Sequence, residues 1–300
     1  MNKTLISKQF NNKTLLNSVA KIIEMAFIED NIFNDITSDL TIDKSSKSKF
    51  QINARQDLIF CGEKIFAEIF SQLKKSQKFS DCEINFEVLF KDGESVKKSQ
   101  NILEGYGNDN LILAAERVML NLIQHLCAIA THTNKFVTKL NNQSIKILDT
   151  RKTLPNLREL QKYAVICGGG FNHRFSLADL ILIKDNHINS CGGVEQVFEK
   201  IKNSCSGSNN KIEIECDNFI QVSQAIKYKP DIIMLDNMDL SELKKSIELI
   251  RSKYPQIMIE ISGGISLENI SKYSCLDIDF ISIGSLTNSC QSVDIGLDFL

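Results

Sequence analysis

The sequence predicts an α/β protein in two parts, a mixed α+β domain ending near residue 110 and a parallel α/β barrel after it. Three observations carry this expectation. From Ile145 onward, short apolar runs alternate with amphipathic stretches of helix length, the pattern of parallel strands joined by crossover helices. Those runs end in polar or glycine residues, where barrels collect their chemistry. Before residue 110 the runs are instead broken by turns, with one helical stretch among them.

Taken in order, residues 13–31 carry Leu15, Leu16, Val19, Ile22, Ile23, Ala26 and Phe27 at helical spacing, so an amphipathic helix opens the fold. The turn-rich NDITSD follows. Strand-like runs come at 49–54, 58–61, 84–89 and 101–104, separated by a helix over 63–73 and by the turn Lys91-Asp92-Gly93-Glu94. A long helix is expected over 110–140, with a break near Thr131-His132-Thr133; it carries Arg117, His125 and His132. The barrel strands are expected at 145–148, 180–183, 212–216, 232–235, 258–261 and 280–283. Helices at 195–202, 219–227, 240–253 and 267–272 lie between them.

Composition narrows the function classes. The chain has 35 Lys and Arg against 37 Asp and Glu, a formal charge of -2, which argues against general nucleic-acid or membrane-surface binding. Any anion site is therefore local. Nine cysteines without CxxC pairs read as free thiols of a reducing compartment rather than a disulfide framework or a zinc site. The N-terminal MNKTLISKQFNNK lacks the apolar core of a signal peptide, and no continuous apolar run approaches the ~18 residues of a spanning segment. A cytoplasmic location is expected.

The densest chemistry lies between Asp149 and His187. This stretch presents Arg151, Lys152, Arg158, His173, Arg174 and Lys184, interrupted by Gly168-Gly169-Gly170. Only six of the 35 basic residues are Arg, and three of the six fall here. A chain that uses Lys nearly everywhere else places Arg where a rigid fork can recognise carboxylate or phosphate. A merely solvated basic face would have no use for the triple glycine. His173, next to Arg174 after the glycines, reads as functional; His187 is undecided; His125 and His132 read as helix residues without a catalytic role. Cys167 reads as small buried packing rather than a nucleophile.

The strand ends supply the rest. Leu148 runs into Asp149 and Arg151, Ile183 into Lys184, Ile214 into Glu215, and Leu235 into Asp236-Asn237. Ile261 leads into Ser262-Gly263-Gly264 and Ile283 into Gly284-Ser285, glycine loops suited to cradling a phosphate after late barrel strands. No GxGxxG or P-loop is present, which argues against an open doubly wound sheet. The phosphate cradle, the acidic pair Glu215 and Asp236 and the basic cluster together suit a phosphorylated, multiply anionic substrate. The two carboxylates suit Mg²⁺, which shares its shell with substrate phosphates.

These motifs resemble a known family. AERVMLN, DTRKTLPNLRELQKYAVICGGGFNHR, IKDNH, IEIECD, IMLDN, ISGGI and SIGSLTNS, in that order, closely resemble the quinolinate phosphoribosyltransferases, over nearly the whole chain. The resemblance implies that the pyridine nitrogen of quinolinate displaces pyrophosphate from phosphoribosyl pyrophosphate, and that the adduct loses its 2-carboxylate as CO₂ to give nicotinate mononucleotide. It implies Arg151, His173, Arg174 and Lys184 as the quinolinate-facing set, and Lys152 between that acid and the phosphoribosyl donor. Glu215 and Asp236 are implied to meet the ribose and Mg²⁺, and Ser262, Gly263 and Gly284 to form the 5-phosphate cradle. Lys152, Lys184, Glu215 and Asp236 form the implied catalytic set. Arg117 of AER is implied to reach into a neighbouring subunit, making an obligate homodimer with composite sites. The implied fold is an α/β sandwich domain, residues 1–110, with the tail 289–300 packing on it. Beside it comes an incomplete (β/α) barrel of about six parallel strands, residues 111–288.

The chain departs from the family pattern at Asn288 in LTNS where LTHS is usual, at Leu154-Pro155-Asn156 for Thr-Pro-Gly, and at Ile166 for Arg. Ser176 and Asn34 each replace a Gly. The resemblance implies that Asn288 offers pyrophosphate a hydrogen bond but no charge, so these departures bear on affinity and rate more than on reaction type. Rival readings are a paralogous barrel transferase of the molybdenum-transport-associated type, a Schiff-base lyase using Lys184 or Lys152, and a sensor that binds quinolinate without turnover.

Overall fold

The computed structural model describes residues 13–204 and 210–300. The N-terminal residues 1–12, and Cys205, lie outside the described residues. The described residues form two compact units: residues 13–134, 152–170 and 285–300 make the first, and residues 135–151, 171–204 and 210–284 the second. One boundary between these units falls inside the long helix, and the TRKT and YAVICGGG segment belongs largely with the first unit.

The first unit is built on an antiparallel sheet. β1 (Lys47–Ala54) pairs with β5 (Asn101–Asn108), and β5 with β3 (Ile84–Val88); β2 (Leu58–Ile59) and β4 (Ser95–Val96) form a separate pair. The C-terminal β12 (Ile295–Phe299) completes the sheet by pairing with β1. Alternation explains β1, where Phe50, Ile52 and Ala54 are buried on one face. The helix Glu63–Leu73 buries Ile65, Phe66, Ile69, Phe70 and Leu73. Asp92, read from sequence as a turn residue, is buried: its Oδ1 accepts the N–H groups of Gly62 and Glu63, and its Oδ2 accepts the Tyr163 hydroxyl at 2.5 Å. NDITSD is partly helical, Ile36–Thr41, with Asp35 accepting from Thr37 and Ser38 N–H as its cap.

The expected break near Thr131-His132-Thr133 does not occur; the helix runs unbroken over Asp109–Leu140. Tertiary packing overrides the weak local propensity. Thr133 is fully buried, and Thr131 Oγ1 accepts the N–H of Ile59. By length and composition this helix could cross a membrane, yet 61% of its most apolar stretch is buried inside the protein, as in a core helix.

The second unit holds a six-stranded parallel sheet in the order β6-β11-β10-β9-β8-β7. The strands are β6 (Lys146–Leu148), β7 (Ile181–Ile183), β8 (Ile212–Cys216), β9 (Ile232–Asp236), β10 (Met258–Ser262) and β11 (Phe280–Ser282). Sequential strands are neighbours from β7 to β11, and β6 then follows β11, as in a barrel. β6 and β7 are the two edges, so the barrel is incomplete. The crossover helices include Val194–Ser204 and Leu240–Lys253; the stretch expected to be helical over 267–272 is instead a short 3-10 turn, Ile270–Tyr273.

Candidate active site

The open edge between β6 and β7 is where the basic cluster is built. After the glycines, Phe171 forms a parallel bridge with Leu148: its N–H donates to Ile147 O, and its carbonyl accepts from Asp149 N–H. Asp149, fully buried, then holds the next two residues. Its Oδ2 accepts from Asn172 Nδ2 at 2.5 Å and its Oδ1 from His173 N–H at 2.9 Å. Arg174 reaches the other edge, where Nη1 donates to the carbonyl of Leu180 just before β7. The NHR segment thus spans the seam left by the missing strand pairing.

Gly168 and Gly170 are required by close approach within the first unit. A Cβ on Gly168 would lie 2.4 Å from Ala130 O, and one on Gly170 would lie 2.8 Å from Val165 Cγ1.

Charges at this end are crowded. Burial, then the neighbouring Arg151, pushes the Arg174 guanidinium below its ordinary pKa. The buried Nε of Arg151 has no hydrogen-bond partner in the protein. His173 Nε2 lies 3.1 and 3.3 Å from the two carboxylate oxygens of Glu213 and 3.7 Å from Glu260 Oε2, both glutamates being fully buried. Burial, and next the charge of Glu213, pushes the Glu260 carboxyl up to about 8, so it is largely protonated near neutral pH. Two cations side by side with an unsatisfied donor disfavour one another unless an anion comes between them.

The acidic end lies at the tips of β8 and β9. Lys184, following β7, contacts the Glu215 carboxylate. Burial raises the Glu215 pKa, and Lys184 works against that shift. Glu215, Asp217 and Asp236 each place a carboxylate oxygen within 4.8 Å of the others. This all-oxygen set suits a hard divalent cation such as Mg²⁺. Asp217 is raised by burial and then by Asp236 and Asp185, the mark of acids gathered without enough positive charge.

The two glycine loops sit at adjacent strand ends. Asn237 N–H donates to Ser262 O, and Gly263 and Gly264 have φ of +87° and +61°. A Cβ on Gly263 would lie 2.2 Å from Asn237 Oδ1, so only glycine lets this turn close over β9. Gly284 follows β11, whose neighbour is β10.

Of the residues singled out from sequence, the second unit therefore brings together Arg151, His173, Arg174, Lys184, Glu215, Asp236, Ser262, Gly263 and Gly284. Lys152 and Arg117 belong to the first unit. The carbonyl of Lys152 accepts from Thr287 Oγ1 at 2.8 Å. Arg117 is 59% exposed and contacts its sequence neighbour Glu116. His187 acts structurally, since its Nδ1 accepts the Lys184 N–H at the start of the helix Asp185–Cys191. His125 Nε2 meets Gln161 Nε2 at 2.8 Å inside the first unit, and Cys167 is fully buried. Lys184, paired to Glu215, is placed as a charge contact rather than as a desolvated Schiff-base amine. Sequence reading missed Asp217 and the buried Glu213 and Glu260.

Several departures have local explanations. Asn156 has φ +64°, a left-handed conformation that Asn tolerates better than other non-glycine residues. Ser176 makes a tight turn in which Asp179 accepts its N–H and hydroxyl. Ile166 is buried in the helix Arg158–Cys167.

Comparison with known proteins agrees with this geometry. The model of the quinolinate phosphoribosyl transferase N-terminal domain matches residues 35–127, and that of the C-terminal domain matches residues 129–298. The chain is 40% identical over 286 residues to a probable nicotinate-nucleotide pyrophosphorylase (carboxylating) of Methanocaldococcus jannaschii, covering 93% of this chain and 96% of that one. It is 39% identical over 278 residues to the Bacillus subtilis protein of the same description, covering 93% and 92%. The solved structure of the nicotinate-nucleotide pyrophosphorylase from Francisella tularensis superposes with a TM-score of 0.85 at 37% identity, covering 95% of this chain and 96% of that one. With both domains matched in order and the relatives covered nearly end to end, this chain belongs to the quinolinate phosphoribosyltransferase family.

Proposed function

We infer that the chain catalyses phosphoribosyl transfer from phosphoribosyl pyrophosphate to quinolinate with loss of CO₂, giving nicotinate mononucleotide for NAD biosynthesis; it is a carboxylating pentosyltransferase. The observation that carries this reading is the pairing of opposite ends in one unit. Arg151 and Arg174 crowd together with an unsatisfied buried donor, while Glu215, Asp217 and Asp236 gather as hard oxygen ligands. A dicarboxylate fits the first end and a metal-bound pyrophosphate the second. Incubation with quinolinate, phosphoribosyl pyrophosphate and Mg²⁺ tests it: nicotinate mononucleotide is expected, and its absence with folded protein contradicts the reading.

The chemistry follows from what these residues hold. Arg151, Arg174 and Lys184 fix the substrate carboxylates and keep the ring nitrogen aimed at the sugar carbon. Ser262, Gly263 and Gly284 take the 5-phosphate with backbone N–H groups and a hydroxyl. Glu215 and Asp236 meet the ribose and would hold Mg²⁺, with Asp217 beside them; an ion held there would supply positive charge to offset that of the departing pyrophosphate. Lys152 adds positive charge between donor and acceptor. When the 2-carboxylate leaves as CO₂, the fixed cations stabilise the electron pair left on the ring.

The homodimer belongs to this proposal. Exposed apolar side chains, Leu16, Met25 and Ile28, lie along the first described helix, and Arg117 projects from the helix Asp109–Leu140 with a chain neighbour as its ionic contact. Arg117 then completes the site of a second copy. An equal mixture of inactive Arg117→Ala and inactive Lys184→Ala subunits should recover about a quarter of wild-type activity, since random pairing makes about half the dimers mixed and each mixed dimer holds one intact site. Confirmed subunit exchange without any recovery would contradict shared sites. A cytoplasmic location is proposed as well, consistent with the eight described cysteines being free thiols.

A further inference from the structure

Lys184 stands where the basic and acidic ends of the second unit meet. β7 pairs with β8 so that Ile183 lies opposite Ile214, and β8 pairs with β9 so that Cys216 lies opposite Leu235. The residues one step further along these parallel strands, Lys184 beside Glu215 and Asp217 beside Asp236, therefore share one rim of the sheet. The Lys184 backbone is tied down. Its N–H donates to His187 Nδ1 at 2.9 Å, and its carbonyl accepts from the N–H groups of His187 and Ile188. Its long side chain stays 44% exposed, whereas the Glu215 side chain that it contacts is only 10% exposed and belongs to β8. The ammonium can therefore leave this pair, and the carboxylate cannot follow it.

We propose that the Lys184–Glu215 ion pair is a latch that couples the two substrates: in the empty site Glu215 holds the Lys184 ammonium, and the phosphoribosyl donor, by engaging Glu215, releases that ammonium to a carboxylate of quinolinate. The proposal rests on the function inferred above, which gives Lys184 to the acid and Glu215 to the donor.

The electrostatics of the rim support the latch. Burial raises the Glu215 pKa, Lys184 opposes that shift, and Asp236 and Asp185 add to it. Asp217 is raised by burial and then by Asp236 and Asp185, and Lys184 again works the other way. One ammonium thus tempers several acids. A dicarboxylate that reaches Lys184 in the empty site meets a charge already balanced by Glu215, with further carboxylates close by to repel it. Positive charge brought in with the donor offsets those acids, and the Lys184 charge becomes available. Lys184 also acts on Glu260 beneath the basic end, so its charge is felt at both ends. Arg174 differs, because its Nη1 donates to the neutral carbonyl of Leu180 and its charge is not committed to the acidic end.

Coupling of this kind is reciprocal, so each substrate should tighten the other by the same factor. Phthalate, a dicarboxylate without a ring nitrogen to react, allows this to be measured at equilibrium by calorimetry in Mg²⁺. In the wild type, saturating phosphoribosyl pyrophosphate should tighten phthalate binding by about tenfold. Glu215→Gln removes the charge that holds Lys184. This variant should bind phthalate more tightly than the wild type when the donor is absent, and adding the donor should change that affinity by less than about twofold. Asp217→Asn removes a neighbouring charge that does not contact Lys184, so it should keep most of the wild-type coupling and leave phthalate affinity without donor within about twofold. Lys184→Ala should bind phthalate more weakly and should also lose the coupling. No coupling in the wild type, weaker or unchanged phthalate binding in Glu215→Gln, or equal tightening in Glu215→Gln and Asp217→Asn overturns the latch. Turnover of quinolinate without coupling would overturn the latch alone and leave the functional reading standing, whereas a folded protein that binds neither ligand would overturn both.

Discussion

The basic and acidic ends of the second unit are built on opposite plans. At the basic end, positive groups are held by acids that never see water: Asp149 grips the NHR backbone, and Glu213 and Glu260 lie beneath His173. At the acidic end, Asp217 and Asp236 are at least partly exposed, and Lys184 is the cation in contact with Glu215. The difference teaches which charge is built in and which arrives. Cations that receive an organic dianion must be fixed in advance, because their alignment is what the transition state uses. Under the proposed function a divalent cation would instead arrive with pyrophosphate, and the carboxylates proposed to hold it would stay hydrated until then.

Three substitutions sharpen that contrast. The largest effect is expected from Arg174→Ala, which should lower kcat/KM for quinolinate by about 10³ in steady-state assays while the KM for phosphoribosyl pyrophosphate changes little. An equal effect on both substrates would erase the distinction between the ends. Next, Asp236→Asn should cost about 10² in kcat and raise the Mg²⁺ concentration needed for half-maximal rate, leaving the KM for quinolinate nearly unchanged. An unchanged Mg²⁺ requirement would remove Asp236 from the cation site.

The smallest effect concerns stability. The Glu260 carboxyl is raised from its ordinary value of 4.5 to about 8, so the native state holds its proton more tightly than the unfolded chain. Its favourable contribution is therefore complete below about pH 4.5 and is lost as pH rises toward about 8. Glu260→Gln stays neutral throughout. Denaturant titrations should show this variant gaining on the wild type as pH goes from about 5 to about 8. A stability difference that is flat across this window would mean that Glu260 is ionised in the fold.

Much of this was legible in the sequence because the chemistry sits at punctuated places. Strands ending in Lys184, Glu215, Asp236, Ser262-Gly263 and Gly284 declare themselves by the switch from apolar to polar or glycine, and the observed β8 matches the expected run to the residue. Glu213 and Glu260 were hidden for the converse reason. Each sits between isoleucines inside a strand, in IEIEC and IEIS, where alternation reads as an edge or solvent-facing pattern. Only the barrel geometry turns both inward beneath His173. An acid flanked by Ile in a strand expected to be buried on both faces was the available signal. The unbroken long helix was missed because Thr131 and Thr133 are poor helix formers whose cost is offset by burial and by the Ile59 contact, which lie far away in sequence. The place of the tail was implied by the family resemblance alone, since it rests on the long-range pairing of β12 with β1 rather than on any local pattern.

The central claim is that one site joins the sugar to quinolinate and releases its 2-carboxylate. The most direct test measures CO₂, pyrophosphate and nicotinate mononucleotide together from quinolinate labelled in the 2-carboxylate, with nicotinate as the control acceptor. The account predicts equal yields of all three from quinolinate and no comparable turnover of nicotinate, which lacks the second carboxylate that the Arg151 and Arg174 end is built to hold. Pyrophosphate release without labelled CO₂, or equal use of nicotinate, would contradict it.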